Sequence, residues 1–344
     1  MDCYYAAVEM RDNPAYQNIP IAVGGNSARG VLSTCNYLAR QYGVRAAMPN
    51  HQAKKLCPGL VIVNGRMSVY QDVSKQIRKI FHRYTDLIEP LSLDEAFLDV
   101  TNATMFQGSA TLIAEQIRKD IFNELNLTAS AGVAPNKFLA KIASDENKPN
   151  GQCVVTPNDV TSFVADLPLK KIPGVGPKTA IRLEHQGYKS CRDVRSSSII
   201  ALQAVVGKQA TSLFNRSFGR DERAVETSRE RKSLAVEVTL SHDIKSLEEV
   251  FVVMNSLVEK LTFRLSKCKD KFIVKQGVKL KFSDFNQTTV EQQSDVVDED
   301  IFHQLFSKAF LRANNRSIRL VGLTLGFKSQ KLIYEDEIQL SLAL

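Results

Sequence analysis

"LSLDEAFLDV" (residues 91–100) sets two carboxylates, Asp94 and Glu95, side by side between apolar residues of strand-forming type. Neighbours on a strand point to opposite faces. A plain half-buried strand would therefore drive one of these charges into its own core, and burying an unpaired carboxylate is costly. Either the pair sits at a turn where both side chains reach the same side, or something positive waits for them. An exposed acidic turn satisfies this stretch equally well, so the rest of the chain has to separate the readings.

Working outward, Val73, Ile77, Ile80, Phe81 and Tyr84 recur at helical spacing and predict a helix from Val69 to Tyr84. Two short strand-like runs follow, Ile88 to Asp94 and Ala96 to Val100, meeting at the acidic pair. Ser109 then caps a helix with Ile113, Ile117, Ile121 and Leu125 on one face. A further strand, "LTASAGVAP", ends at Pro135. Helix, hairpin, helix, strand makes up most of a ferredoxin-like unit, and its missing first strand belongs near the N-terminus, where "MDCYYAAVE" begins abruptly. If Tyr4 and Tyr5 lie at a strand end, only one of them faces the core.

Residues 11 to 66 form an insertion rich in Pro, Gly and Arg, and residues 158 to 226 a compact helical stretch. The basic segment "SRERKS" leads to a last region of alternating strands, "QGVKLKFSDF" and "RSIRLVGLTLGF", with a helix from Leu247 to Leu265. The chain's 344 residues suffice for two or more domains with buried cores. Its six cysteines are scattered without a CxxC pair, and no two histidines share a helix face at ligand spacing, which argues against a zinc site or disulfide framework and for a reducing, cytoplasmic setting. No apolar run is long enough for a bilayer span. The formal charge of +8 suits a polyanionic partner.

"IPGVGPKTAIRLEHQGY" (172–188) reads as a short helix ending at Pro173, a Gly174-Val175-Gly176 turn, and a second helix opened by Pro177 and stopped at Gly187. Glycines expose backbone N–H groups beside a helix N-terminus, a cradle for phosphate, and Lys178 adds a point charge. A GxG alone would be a simple turn. The whole pattern between two helices is that of a DNA-binding helix-hairpin-helix, whose contacts hold backbone and read no sequence. In "STCNYLARQYGVRAAMP" (33–49), Tyr37 and Arg40 lie on one helical turn and can converge on one phosphate group, whereas Arg45 reads as a solvated charge. "ASDENKPNGQ" (143–152) mounts Lys148 before a Pro-Asn-Gly turn.

Together, "MDCYYAAVEMRDNP", "GVLSTCNYLARQYGVRAAMP", "PLSLDEAFLDV", "TASAGVAPNKFLAKIASDENKPNGQ" and "KIPGVGPKTA" resemble the Y-family DNA polymerases, in particular a bacterial member, over the whole length from Asp2 to Leu344. The resemblance implies an α+β, right-hand polymerase. Its ferredoxin-like palm would span 1–10 and 67–157, small fingers 11–66, a helical helix-hairpin-helix thumb 158–227, an αβ little finger 232–334 and a tail 335–344. Asp94 and Glu95 would bind two Mg²⁺ ions, Glu95 being the residue most tied to the primer-side metal, and Tyr37, Arg40 and Lys148 would neutralise the triphosphate. Tyr5 falls on the aromatic gate that leaves no room for a ribose 2′-hydroxyl. Gly174, Gly176 and Lys178 would grip DNA, and Gln339, Leu340, Leu342 and Leu344 resemble the peptide that holds a sliding clamp, with a last strand as the alternative. The implied partners are primer-template DNA, deoxynucleoside triphosphates and the clamp, for a monomer that touches no membrane. The implied activity is error-prone translesion DNA synthesis by two-metal phosphoryl transfer. The assigned regions use up the chain, so no proofreading exonuclease is expected.

One departure bears on this. The family's palm opens on a strand with a metal-binding Asp two residues before position 2, and this chain starts too late to include it; Asp2 matches a neighbouring acidic position that is not a ligand. An upstream start or a truncated sequence is the simplest expectation. Taken literally, the sequence would be a catalytically impaired protein that binds DNA and clamp. A nucleotidyl cyclase shares a two-metal core but leaves the helix-hairpin-helix and the tail unexplained.

Overall fold

The computed structural model describes residues 1–25, 27–268 and 271–328. They form two compact units, Met1–Asn26 with Gly30–Ser228, and Ser27–Arg29 with Arg229–Leu344. The first unit opens on a helix, α1 (Tyr4–Asp12), which corrects the expectation of a strand end at Tyr4 and Tyr5. Cys3, in the left-handed region at φ 38°, turns the chain into it. The two tyrosines alone favour a strand, but Ala6, Ala7, Glu9 and Met10 are strong helix formers and the window follows them. Next come β1 (Ile21–Gly24), β2 (Leu32–Cys35), α2 (Tyr37–Gln41), α3 (Asn50–Leu56) and β3 (Val61–Val63). The strands make one sheet in the order β2-β1-β3, and Ala22, Leu32, Ala39 and Ala53 fill the small core beneath it.

The helices of the ferredoxin-like unit fall as the periodicity predicts. They are α4 (Met67–Phe81), then, after β4 (Ile88–Pro90) and β5 (Ala96–Leu98), α5 (Ala110–Leu125). Ile113, Ile117, Ile121 and Leu125 are buried as one face, against Val73 and Ile77 of α4 and Tyr4 and Val8 of α1. The Ser109 side chain caps α5 by accepting from the Leu112 N–H. The strands are shorter than the alternation predicts, three residues each, because Leu91 to Glu95 turns the chain between them. β6 (Ala131–Val133), α6 (Lys137–Glu146) and β7 (Gln152–Val154) complete the unit. Its strands form two ribbons, β4–β5 antiparallel and β6–β7 parallel. A cavity of about 560 Å³ lies between them, lined by β5 and β6. Met1 and Asp2 link the ribbons: the Met1 ammonium donates to the Asp94 carbonyl at 2.7 Å and the Asp2 N–H to the Thr128 carbonyl at 3.1 Å.

Five short helices follow, α7 (Val160–Ala165), α8 (Pro177–His185), α9 (Cys191–Arg195), α10 (Ile199–Val206) and α11 (Ala210–Ser217). They surround Leu183, Val194, Leu202 and Leu213, and α6 adds Phe138 and Ile142 to the same core. The short helix before the glycine turn is a 3₁₀ helix, Leu169–Lys171, which ends two residues before Pro173. The helical stretch stops at Ser217 rather than reaching 226, because residues 219–226 are bonded to other elements: the Asn136 side chain donates to the Gly219 carbonyl and the Phe138 N–H to Asp221. In the second unit β8 (Ser233–Ile244), α12 (Leu247–Leu265), β9 (Ile273–Phe282), β10 (Gln287–Gln293), α13 (Glu299–Phe310) and β11 (Ile318–Phe327) build a four-stranded antiparallel sheet, order β10-β9-β11-β8. Val250, Leu257, Phe302 and Phe306 of its helices pack on Leu280 and Val321 of the sheet. Among the described residues no helix is long and apolar enough to cross a membrane.

The approach of α6 to β6 is set by Gly132, where an added Cβ would lie 2.0 Å from the Ala140 carbonyl oxygen and 2.4 Å from the Ser144 nitrogen. Backbone cannot yield as a flexible side chain does, so Gly132→Ala is expected to cost at least ~1–3 kcal/mol. Gly59→Ala, with nothing within 4 Å, should leave stability within about 0.5 kcal/mol. Denaturant unfolding of the two variants checks this.

Candidate active site

The acidic pair sits at a turn. β4 and β5 end their pairing at Pro90 and Ala96, and the Glu95 carbonyl accepts from the N–H groups of Leu91 and Ser92 at 2.9 and 3.3 Å. The Ser92 hydroxyl donates to an Asp94 carboxylate oxygen at 2.7 Å, orienting that side chain. Glu95 meets a positive group, the Lys141 ammonium of α6 at 2.5 Å. Both alternatives posed by the sequence therefore hold, a turn and a cation. Among the described residues no three His, Cys, Asp or Glu side chains are grouped as a metal cage. Two half-exposed carboxylates are a donor set of hard oxygens that suits magnesium, an ion that keeps water and substrate phosphate in its shell.

Asp2 is not a third member of that set. Its carboxylate is 1% exposed and already accepts from the Ser130 hydroxyl and the Asn150 N–H, each at 2.8 Å. It thereby ties down the 147–151 turn that carries Lys148. The Lys148 ammonium pairs with Asp145 at 2.6 Å. The charges of Asp94, Lys148, Asp2 and Glu95 all act on the Met1 amino group, whose pKa is lowered first of all by burial.

The β1–α2 side of the site is built on Asn36. Its side-chain oxygen accepts from the N–H groups of Ile21 and Ala39 and its amide donates to the Ile19 carbonyl, so the start of α2 is fixed to β1. Tyr37 and Arg40 follow on the first turn, with the Arg40 guanidinium 4.7 Å from the Tyr37 ring centre. The buried Tyr37 hydroxyl has no hydrogen-bond partner among the described residues. Burial first, then the charge of Asp2, pushes its pKa up to about 12, so at neutral pH it stays a proton donor. A buried donor of this kind calls for an acceptor. Arg45 is spent on the Arg40 and Val44 carbonyls, a helix-end role. Nearby, burial pushes the Cys3 thiol up to about 12.

Tyr5 is half-buried and stacks on Tyr70 of α4, ring centres 4.4 Å apart and planes within 14°. Its hydroxyl pKa is raised by burial and by the charge of Asp94, so Tyr5 and the acidic pair share one neighbourhood. Gly174, at φ +92°, makes the turn a side chain would strain, and Gly176 caps α8. Lys178 on the first turn of α8 is exposed. These three stand in the helical core's own hairpin, apart from the acidic cluster. Gln339, Leu340, Leu342 and Leu344 lie outside the described residues.

Comparison with known proteins fits this geometry. The impB/mucB/samB family profile matches residues 1–145, its C-terminal domain profile 231–342, and a DNA polymerase-iota thumb domain profile 170–221. DNA polymerase IV of Colwellia psychrerythraea (strain 34H) is 64% identical over 344 residues, covering 100% of this chain and 97% of its own. The chain belongs to the Y-family DNA polymerases. DNA polymerase IV of Pseudoalteromonas atlantica (strain T6c) is 57% identical over 343 residues, 98% of this chain and 96% of its own. Among solved structures, a Y-family DNA polymerase chimera superposes with a TM-score of 0.86 at 29% identity, covering 94% of this chain and 96% of that one. "Insertion ternary complex of Dbh DNA polymerase" matches with a TM-score of 0.66 at 28% identity, covering 95% and 96%. The polymerase is a right-hand α+β enzyme of the DNA polymerase IV type that carries out DNA-directed, translesion DNA synthesis. The rival reading as a catalytically impaired binding protein is not favoured.

Sequence reasoning missed three residues that contact the site residues. Lys141 lies on α6, a helix the sequence reading did not place, and its approach to Glu95 is tertiary. Glu9 and Tyr70 are far apart in the chain and meet only across α1 and α4. Asp2 offers the direct test of how the Lys148 turn is held. Asp2→Ala leaves a buried hydroxyl and a backbone N–H without acceptors, which is expected to cost roughly 1–3 kcal/mol. It should raise KM for deoxynucleotides more than it lowers kcat. Thermal unfolding and steady-state kinetics measure the two effects.

Proposed function

We propose that Asp94 and Glu95 hold the divalent metal that this family uses, taken here as two Mg²⁺ ions, at the primer 3′ end. When bound, such ions make the 3′-hydroxyl a better nucleophile and stabilise the departing pyrophosphate. The chain's own residues do the rest. Ser92 orients Asp94, and Lys141 balances Glu95 until substrate arrives. The Tyr37 hydroxyl donates to the triphosphate while Arg40 and Lys148 neutralise it; the partnerless buried hydroxyl of Tyr37 is the observation that carries this reading. Tyr5 packs under the sugar and excludes a 2′-hydroxyl.

Primer-template DNA and deoxynucleoside triphosphates are the substrates, in keeping with the ternary complex among the similar structures. Gly174, Gly176 and Lys178 hold the DNA backbone without reading sequence. Synthesis is error-prone because small fingers check the nascent pair weakly. The tail residues Gln339, Leu340, Leu342 and Leu344 hold a sliding clamp, which raises the local concentration of the primer end. The six free cysteines and the basic charge suit a monomer at work in the cytoplasm.

Two measurements test these roles. Glu95→Gln should abolish primer extension yet leave DNA affinity within about twofold, read by gel extension and fluorescence anisotropy. A variant that extends primers normally would remove Glu95 from catalysis. Lys178→Ala should weaken DNA binding about equally on all sequences and lower the slope of log affinity against log salt by about one.

A further inference from the structure

Tyr5 does not stand alone. α1 presents Tyr5 and Glu9 one turn apart, and Arg66, which caps the start of α4, lies one turn before Tyr70. These two i, i+4 pairs face each other. The Tyr5 ring stacks on the Tyr70 ring at 4.4 Å, and the Tyr70 hydroxyl donates to a Glu9 carboxylate oxygen at 2.6 Å. The same carboxylate accepts from Arg66 Nε at 2.9 and 3.1 Å, and Arg66 reaches on to Asp12 at 2.7 Å. Tyr70 is fully buried and Glu9 is 4% exposed. Tyr70 is pinned from a further side, its carbonyl accepting from the Tyr4 hydroxyl at 2.6 Å, and a Cβ added at Gly65 would lie 3.7 Å from its ring.

A buried carboxylate is a costly way to hold a helix pair, because apolar contact would do so without a desolvation penalty. What the carboxylate adds is direction. A phenol in an apolar slot can slide along its ring plane, whereas a short charge-assisted hydrogen bond fixes where the ring stops. From this we infer that Glu9 and Tyr70 are positioning residues for sugar selection, Glu9 setting the Tyr70 ring and the Tyr70 ring setting Tyr5. The inference rests on the reading of Tyr5 as the gate. Exclusion of one hydroxyl depends on ring placement to a fraction of an ångström, so loosening the stack admits ribonucleotides without touching the acidic pair or the triphosphate site.

The test measures kcat/KM for a ribonucleotide and its deoxy counterpart in Tyr70→Phe, Glu9→Gln, Tyr5→Ala and the double variant Tyr5→Ala/Tyr70→Phe. Tyr70→Phe keeps the ring and Glu9→Gln keeps an acceptor oxygen, and should one of them fail to fold the other decides. Each single lock variant is expected to raise the ribonucleotide-to-deoxynucleotide ratio by on the order of tenfold, about 1.4 kcal/mol, with deoxynucleotide kcat/KM within about threefold of the parent. Tyr5→Ala should raise the ratio further, and adding Tyr70→Phe to it should change nothing more. A purely structural role would lower both substrates together along with the melting temperature, leave the ratio unmoved, and overturn the inference. A ratio that rises as much in the Tyr5→Ala background as in the parent would also overturn it, since Tyr70 would then act elsewhere. If Tyr5→Ala itself leaves the ratio unchanged, the gate reading fails and the inference fails with it.

Discussion

Lys137 buries an ammonium group, and that group has to be neutralised where it sits. It is 7% exposed, and it bonds the Glu89 carboxylate and the Ala224 carbonyl, each at 2.6 Å. The same Glu89 oxygen accepts from the Glu226 N–H at 2.9 Å. An ion taken out of water is stable only when such partners are complete, so β4, α6 and the 221–226 segment must come together or not at all. One helical turn later Lys141 holds Glu95. A single helix face thus grips the β4–β5 hairpin at both its base and its tip. The opposite face of α6 gives Phe138, Leu139 and Ile142 to the core of the five-helix region. The position of the acidic pair is therefore a consequence of how α6 is packed.

Around that helix the charges are arranged by purpose rather than by number. Four acidic residues, Asp2, Glu9, Asp94 and Glu95, stand around α1 and the acidic turn, yet they do different jobs. Asp2 is buried and fully bonded, which makes it a brace for the Lys148 turn. Asp94 and Glu95 are half-exposed at a turn and keep oxygen lone pairs free for a cation. Glu9, a turn and a half into α1, is again buried and bonded. Burial and hydrogen bonding, not residue type, separate the structural carboxylates from the chemical ones.

The cation side follows the same logic. Arg45 and Arg66 are committed to carbonyl and carboxylate partners inside the protein. Among the described residues Arg40 reaches only Cys35, with a long bond to its carbonyl at 3.3 Å and a contact with its thiol, and its guanidinium lies over the Tyr37 ring. Together with the partnerless Tyr37 hydroxyl, this is a site whose hydrogen-bonding capacity exceeds what the protein itself consumes. Such a surplus, held in place by Asn36 and the sheet behind it, is what a polyphosphate would complete.

Much of this was legible in residue order. Apolar spacing at 3.6 residues located α4, α5 and α12, since periodicity is a local property and these helices bury one face each. Long specific motifs pointed to the family and, with it, to Asp94, Glu95, Tyr5, Tyr37, Arg40 and Lys148. Three things were not legible. α1 was hidden because two adjacent tyrosines read as strand, while the helix depends on a left-handed Cys3 and on burial against α4 and α5. Polar β10 has almost no apolar pattern and exists because β9 supplies its backbone partners. The partners of the functional groups, Lys141 for Glu95, Asn150 for Asp2 and Tyr70 for Tyr5, are separated by 46, 148 and 65 positions. Sequence alone determined which residues are candidates for the chemistry, because side-chain type and local spacing are written in the chain. Tertiary structure decided which of them stay available for it, because a carboxylate or a tyrosine is free or spent only according to what the fold brings within 3 Å.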